Sequence, residues 1–383
     1  MSKTPISMFK LEDIRDFSYQ TPYFLFSKEA VQNNMEMYRA NLPTNTEICY
    51  AMKANSEEPV LRTLAVLGSS FEVASEYELR LLKKIGVRPE QILCGTAVKS
   101  VATIREFYEY GVDRYAFDSE QELERIAKHA PRSKVYVRVL VNDKANSVFT
   151  MSEKFGAVSD AAADLLVRAV ELGMEPYGIS FNVGSQARNA NAWANSIHDV
   201  ATILQVLLAK DIKVQVVDLG GGFPYSYQDN DDIPAIEEIG HHIREASSAL
   251  PYPVDFIAEP GRGLVADAYV LVTSVFAKNL RDNGHWLYVN AGAYNALLEA
   301  MAYQGTIRYR IDLLRPSEAP LEPYIITGPT GDSLDIVGTE VLLPNDVTVD
   351  DRLVIHDAGA YSFTLTTLFN GFPTPLTYEL ETR

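Results

Sequence analysis

The sequence predicts an α/β protein in two parts: a (β/α)8 TIM-like barrel and a C-terminal, mostly β domain. Three observations predict it. Eight short apolar runs, at 47–54, 70–75, 91–96, 114–118, 134–141, 176–185, 214–220 and 255–259, alternate with stretches of helical period. Polar residues gather at the C-terminal ends of these runs, where a barrel carries its chemistry. After about residue 264 the rhythm changes to strands punctuated by Pro and Gly, without regular helices. An open doubly wound sheet is the main rival, and the count of eight favours the barrel.

Taken in order, residues 1–21 are polar and irregular and are grouped with 265–383 in the β domain, which leaves 22–264 for the barrel. The short strand Tyr23-Phe24-Leu25-Phe26 opens that span, and Ser27 reads as the N-cap of the helix that follows. Helices are expected at Glu57–Leu67, Glu76–Ile85, Val101–Tyr110, Ser119–His129 and Ala161–Leu172. In the second domain, strands are expected at Tyr269–Ala277, His285–Asn290, Pro323–Thr327 and Arg352–His356.

Composition narrows the function classes. With 383 residues, 47% hydrophobic and 22% charged, the chain can bury the cores of two domains. A formal net charge of −17 argues against nucleic acid, whose phosphates need a basic surface, and mildly favours cationic substrates. No apolar run approaches the roughly 18 residues that span a bilayer, and no charged-then-apolar leader opens the chain, so no membrane partner is expected. Cys49 and Cys94 sit in strand-like runs as small buried hydrophobes, which fits a cytoplasmic location.

Lys53 closes the first apolar run. A lysine there ordinarily snorkels to water; a desolvated amine at a cleft instead forms Schiff bases with carbonyl cofactors. Other strand ends carry Glu72, Arg138, Asn182 with Ser185, Gly220-Gly221-Gly222, and Glu259 with Gly261 and Arg262. Glycines after strands are usually tight turns, yet three such elements with an arginine also make a phosphate cradle. Glu259 is either a rim carboxylate paired with Arg262 or a partner for a pyridine nitrogen. Asp332 lies in a turn where aspartate usually serves its own backbone, and the alternative is a counter-charge for a substrate ammonium. Glu237, Glu238, His241 and His242 share helical spacing, but no second carboxylate–histidine helix accompanies them, so no metal site is assigned.

Together these residues form an ordered series of motifs. They are Tyr50-Ala51-Met52-Lys53-Ala54-Asn55, Phe71-Glu72-Val73-Ala74-Ser75, Phe181-Asn182-Val183-Gly184-Ser185 and Asp218-Leu219-Gly220-Gly221-Gly222-Phe223-Pro224. Glu259-Pro260-Gly261-Arg262, Gly328-Pro329-Thr330-Gly331-Asp332, Gly359-Ala360-Tyr361 and Phe369-Asn370-Gly371-Phe372 complete it. Over roughly residues 20–375 the chain resembles the fold-type III decarboxylases dependent on pyridoxal 5'-phosphate, the ornithine, lysine, arginine and diaminopimelate group. Asp332 after Gly-Pro-Thr-x makes it most similar to the ornithine/lysine branch.

The resemblance implies an alanine-racemase-like barrel and an enzyme that decarboxylates an amino acid with a distal amino group, as in polyamine biosynthesis. It implies that Lys53 carries the cofactor as a Schiff base and that Glu259 meets the pyridine nitrogen. Ser185, Gly221, Gly222, Gly261, Arg262 and Tyr361 are implied at the phosphate, and Glu72, Arg138 and Asn182 around the ring. Asp332, Gly331, Tyr294 and Glu299, with Tyr303, fall on the substrate side. A head-to-tail homodimer with shared active sites is also implied, Asp332 reaching the partner's cofactor.

Three departures stand out. Asn182 replaces the usual histidine stacked on the ring, Gly331 replaces the usual cysteine that reprotonates the substrate carbon, and Glu72 replaces a more usual aspartate. The first two open two alternatives: diversion of the decarboxylated species to transamination or oxidation, or a non-catalytic regulatory relative. A racemase on the same barrel is disfavoured by Glu259, since racemases of this fold typically place arginine at the pyridine nitrogen.

Overall fold

The computed structural model describes residues 9–141, 147–149, 154–228, 232–302 and 307–380. The chain divides into two compact units, one of Asn34–Pro224 with Asp232–Gly263, the other of Met1–Asn33, Tyr225–Asp231 and Leu264–Arg383.

The first unit is a closed barrel of eight parallel strands: Thr46–Ala51, Ser70–Val73, Ile92–Cys94, Arg114–Phe117, Lys134–Arg138, Glu175–Ser180, Val216–Asp218 and Asp255–Ala258. Each pairs with its neighbour in sequence order, and the eighth closes on the first through Phe256 opposite Thr46. These are the eight apolar runs, and closure removes the sheet edges that would otherwise need cover. Cys49, Leu93, Ala116, Tyr136, Val216 and Ile257, from six different strands, pack together as one core cluster. Burying each large side chain contributes about 1.5–3 kcal/mol.

Local chemistry sets the helix limits. Ser75, Ser100 and Ser119 accept hydrogen bonds from the N–H groups of Glu78, Thr103 and Glu122, three residues on, so helices start at 76, 101 and 120. Gly86 and Gly111 end the first two in the left-handed region, at φ 81° and 104°. Ser27 likewise accepts from the Ala30 N–H, 3.2 Å.

The second unit is built on an eight-stranded, mostly antiparallel sheet. Its main path runs Ile311–Leu313, Arg352–Ile355, Tyr269–Arg281, Gly284–Val289, Leu321–Thr327 and Ile336–Pro344. Tyr23–Phe26 belongs here rather than to the barrel, pairing antiparallel with Tyr269–Val272 and parallel with Leu376–Glu379. The expected barrel start at 22 is thereby corrected. All four residues of this strand are buried, and a strand buried on both faces needs neighbours on both edges. Phe9, Ile14, Tyr23, Leu25, Val270, Val272, Leu314 and Val354 form its core. Strands Ile311–Leu313, Ile336–Pro344 and Leu376–Glu379 were not expected from the sequence: the first is short, the second is interrupted by glycine and polar residues, and the third is short and carries polar residues.

One buried ion pair pins the loop after the third barrel strand. Lys99 Nζ donates to Glu122 Oε1 at 3.0 Å, to the Thr96 carbonyl at 2.8 Å and to the Ala116 carbonyl at 2.5 Å, with both side chains out of water. Glu122 also accepts the Lys99 N–H and the Arg125 guanidinium. Lys99→Ala leaves Glu122 with Arg125 and one backbone N–H but removes the buried ammonium that ties the loop, and is expected to cost about 1–3 kcal/mol. Thermal melting checks this: the single variant should melt well below wild type, and a Lys99→Met/Glu122→Met double variant should recover part of the loss.

Candidate active site

The barrel gathers its polar strand ends at one mouth. Lys53 lies in a single 3-10 turn, Met52–Ala54, directly after the first strand. The turn is held from both sides: the Ala51 N–H donates to the Pro260 carbonyl at 3.1 Å, and the Tyr50 hydroxyl to the Asn55 carbonyl at 2.9 Å. Lys53 Nζ donates to Glu72 Oε2 at 3.0 Å, with the lysine side chain 44% exposed and the glutamate 6%. Glu72 reaches this position because residue 95 is glycine; a Cβ there would run into its carboxyl group.

Beside them lie two more carboxyl groups. Asp218 ends the seventh strand and is buried, and Glu259 follows the eighth strand, partly open to the mouth. Asp218 Oδ1 accepts the Gly220 N–H at 2.9 Å. Asp218 Oδ2 is buried and has no hydrogen-bond partner among the described residues. Burial pushes the Asp218 carboxyl up to about 7, against the pull of the Gly220 N–H. Burial first, then the charges of Asp218 and Glu72, raises the Glu259 carboxyl well above the ordinary carboxylate range, while Lys53 and Arg138 pull it down. Arg138 closes the fifth strand, its guanidinium 5.5 Å from the Phe155 ring.

The glycines after the sixth to eighth strands form a close-packed cradle. Gly220 and Gly222 take φ of 62° and 92°, and a Cβ on either would strike the carbonyl of Phe181 or Gly184. A Cβ on Gly261 would sit 2.9 Å from that of Ala54, and one on Gly221 3.0 Å from the Glu259 carbonyl. Ser185 lies beside this cradle in the short strand Ser185–Ala187, which is tied to it by the Ala187 N–H donating to the Gly222 carbonyl at 3.0 Å. Arg262 is buried at the start of Arg262–Val265. Asn182 accepts the Gly184 N–H through Oδ1 at 2.9 Å, which fixes the plane of its amide. An amine, a flat amide, a carboxyl group and a glycine cradle with a buried arginine are the donor set that a phosphorylated pyridine aldehyde needs, so these residues fit pyridoxal phosphate.

In the β domain, three segments converge. Tyr294 donates its hydroxyl to Asp332 Oδ2 at 2.7 Å and stacks on Phe369 with ring centroids 4.7 Å apart. Gly331 donates its N–H to Asn370 Oδ1 at 3.0 Å. The organiser is Asp335, which the sequence reading passed over. Its buried carboxylate accepts the N–H groups of Ala293 and Thr330 and the Thr330 hydroxyl. Gly292 and Gly328 are glycine because side chains there would collide with that carboxylate. Glu299 is buried in the one-turn helix Leu298–Met301. Tyr361 follows the strand Arg352–Ile355 in the left-handed region at φ 59°, a costly conformation for a bulky residue. Tyr303 lies outside the described residues.

His241 and His242 lie 3.4 and 4.0 Å from Glu245 on one helix, and among the described residues no group of three or more His, Cys, Asp or Glu is arranged to hold a metal. No described helix is long and apolar enough to cross a membrane. Asp218 stood in the motif of residues 218–224 without a role of its own, and Gly95 was not singled out. The signal for Asp218 was present, an acid closing an apolar strand; for Gly95 there was none.

Comparison with known proteins agrees with this geometry. The family model described as pyridoxal-dependent decarboxylase, pyridoxal binding domain, matches residues 28–266. Ornithine decarboxylase of Rattus norvegicus is 32% identical over 355 residues, covering 87% of this chain and 75% of that protein. Antizyme inhibitor 2 of Xenopus laevis is 32% identical over 352 residues, covering 86% of this chain and 75% of that protein. The solved lysine/ornithine decarboxylase of Vibrio vulnificus, complexed with putrescine, aligns with a TM-score of 0.85 at 28% identity over 96% of both chains. The matched span contains every barrel residue described above, and the chain accordingly belongs to the pyridoxal-phosphate-dependent amino-acid decarboxylases, on their ornithine/lysine branch, with pyridoxal 5'-phosphate as its cofactor.

Proposed function

We propose that the chain decarboxylates an L-amino acid carrying a second, distal amino group, releasing the amine and carbon dioxide. The observation that carries this reading is the fixed carboxylate of Asp332. The Leu334 N–H and the Tyr294 hydroxyl both donate to it and hold its pKa below the ordinary aspartate value. It therefore stays ionised through neutral pH, as a counter-charge for an ammonium. The V. vulnificus relative was crystallised with a diamine, and the chain's net charge of −17 attracts cationic amino acids. Diamine formation places the reaction in polyamine biosynthesis or a neighbouring branch of amino-acid metabolism. With Cys49 and Cys94 free and buried, the cytoplasm is the proposed compartment.

In this reading Lys53 Nζ would hold the cofactor, and Glu72, 3.0 Å away, would take up and return the proton at Nζ. Ser185, Gly221, Gly222, Gly261, Arg262 and Tyr361 would bind the phosphate. Asn182 would hold the face of the ring and Glu259 its nitrogen, with Arg138 offsetting the surrounding carboxyl groups. Bound there, the cofactor would supply an electron sink for the pair left by departing carbon dioxide. Lys53 Nζ would then return a proton to the substrate α-carbon. Glu299 and Tyr294 line the substrate end. The proposed assembly is a head-to-tail homodimer in which Asp332 of one subunit serves the barrel of the other.

Gly331 favours a second outcome within the same reaction. Its φ is not left-handed, and a Cβ there would meet only Asn370 Oδ1, at 3.8 Å. The backbone therefore does not demand glycine, and a thiol side chain fits. Without an acid at this position, proton return would rest on Lys53 alone, and a fraction of turnovers would end in transamination, or in oxidation to an aldehyde with dioxygen as the electron acceptor.

Three measurements follow from this reading. With L-lysine and L-ornithine as substrates, Asp332→Asn should raise KM about 10- to 100-fold with a smaller change in kcat, the effect of losing a charged hydrogen bond. If neither amino acid yields its diamine while pyridoxal phosphate is bound, the substrate class is wrong. Gly331→Cys should lower the share of aldehyde and pyridoxamine phosphate among the products, as read by mass spectrometry; an unchanged share removes the role given to position 331. Mixing the Lys53→Ala and Asp332→Asn chains, assayed at substrate far below the raised KM, should give roughly a quarter of wild-type activity by random pairing if the sites are shared, and only the residual activity of the Asp332→Asn chain if each subunit is self-contained.

A further inference from the structure

We propose that Tyr225 and Asp357 are positioning residues for the cofactor phosphate: the hydrogen bond between them ties the segment leaving the glycine cradle to the loop that carries Tyr361. The inference rests on the reading that Gly222 and Tyr361 meet the phosphate, and it adds two residues to which no role was assigned from the sequence.

The chain between Gly222 and Tyr225 is short and stiff. Phe223 is buried, its ring stacked on Trp193 at 4.9 Å and edge-on to Tyr38 at 5.4 Å, and the ring of Pro224 fixes its own φ. Tyr225 donates its hydroxyl to Asp357 Oδ1 at 2.8 Å. Burial first, then the charge of Asp357, raises the Tyr225 phenol well above its ordinary range, so it remains the donor. The Tyr225 ring meets Tyr227 edge-on at 5.2 Å, and Tyr227 in turn meets Tyr309 at 5.6 Å. Gln228 Nε2 donates to the Arg308 carbonyl at 2.8 Å. Residues 225–228 are therefore held within the β domain by a side-chain hydrogen bond at each end, with aromatic contacts between.

The acceptor sits in a loop whose backbone is forced. Asp357 and Tyr361 both take left-handed conformations, at φ 58° and 59°. Aspartate tolerates that region, whereas a bulky tyrosine stays there only when its surroundings over-determine it. The anchors lie just before it. His356 pairs with Asp312 at 2.9 Å and donates its N–H to the Arg310 carbonyl. Ala358 and Gly359 donate their N–H groups to the Tyr269 and Ala266 carbonyls, each at 2.9 Å, and a Cβ on Gly359 would run into the Val265 carbonyl. Ala358 and Ala360 are fully buried. Asp357, 6% exposed, adds the anchor that comes from residue 225. A carboxyl group so buried does not lose a donor freely. Without the phenol the loop shifts to rehydrate it, and Tyr361, already in a costly conformation, moves with the loop.

The test compares pyridoxal phosphate with pyridoxal, which lacks the phosphate, as ligands of the cofactor-free protein. Tyr225→Phe removes one hydroxyl and keeps the ring against Tyr227. It should raise the Kd for pyridoxal phosphate about 3- to 10-fold, the effect of one lost hydrogen bond, and leave the Kd for pyridoxal unchanged. An equal loss for both ligands means that the bond serves the fold alone and overturns the proposal, as does no loss for either. Should that variant fail to fold, Asp357→Gly removes the acceptor while suiting the left-handed backbone, and the same selective loss is expected of it. In Tyr225→Phe/Asp357→Gly the two losses should not add, and additive losses overturn the pairing. Tyr361→Phe separates the premise from the inference. If it leaves the affinity for pyridoxal phosphate unchanged, the Tyr361 reading falls and the proposal with it. If it weakens that affinity selectively and Tyr225→Phe does not, the proposal alone falls.

Discussion

The arrangement of charge at the barrel mouth is the constraint on which the rest of the site depends. Three carboxyl groups, Glu72, Asp218 and Glu259, converge there against two cations, Lys53 and Arg138. So many acids can share a region poor in water only if some are protonated, some are paired, and the backbone supplies donors. Two remedies are visible: Lys53 pairs with Glu72, and the Gly220 N–H serves Asp218. Removing any member changes the charge state of the others, so these residues are one coupled unit rather than separate ligands.

Glycine makes that density possible, for reasons that differ by position. Gly95 yields space to the Glu72 carboxyl, whereas Gly220 and Gly222 bring backbone against backbone in conformations that L side chains rarely adopt. The same device recurs in the β domain, where Gly292 and Gly328 close on the Asp335 carboxylate. Asp335 binds two chain segments far apart in sequence and so sets the turn that displays Gly331 and Asp332. Gly331 stands apart from these, because nothing in its backbone or its neighbours requires it. The fold therefore leaves its identity open, and the role proposed for it in the fate of the product is a matter of chemistry.

Much of this was determined by the sequence alone. Eight apolar runs separated by helices, three of them serine-capped and two of those ended by glycine, favour closure as a parallel barrel, because period, cap and spacing are local properties. Lys53, Glu72, Arg138, Asn182, Ser185, Glu259 and Arg262 were legible because a polar residue closing an apolar strand is conspicuous in one dimension. Their convergence was legible too, since parallel strands in a barrel send all their C-terminal ends to one side. Tertiary structure decided what depends on neighbours remote in sequence. Tyr23–Phe26 joined the β sheet because its partners, Tyr269–Val272 and Leu376–Glu379, lie hundreds of residues away. Asp218 and Asp335 look like ordinary acids in the sequence, and only burial and the groups packed around them distinguish a desolvated acid and a structural hub from solvated side chains. A residue's identity fixes which protons it can hold; the dielectric and the charges that decide whether it holds them are properties of the folded chain.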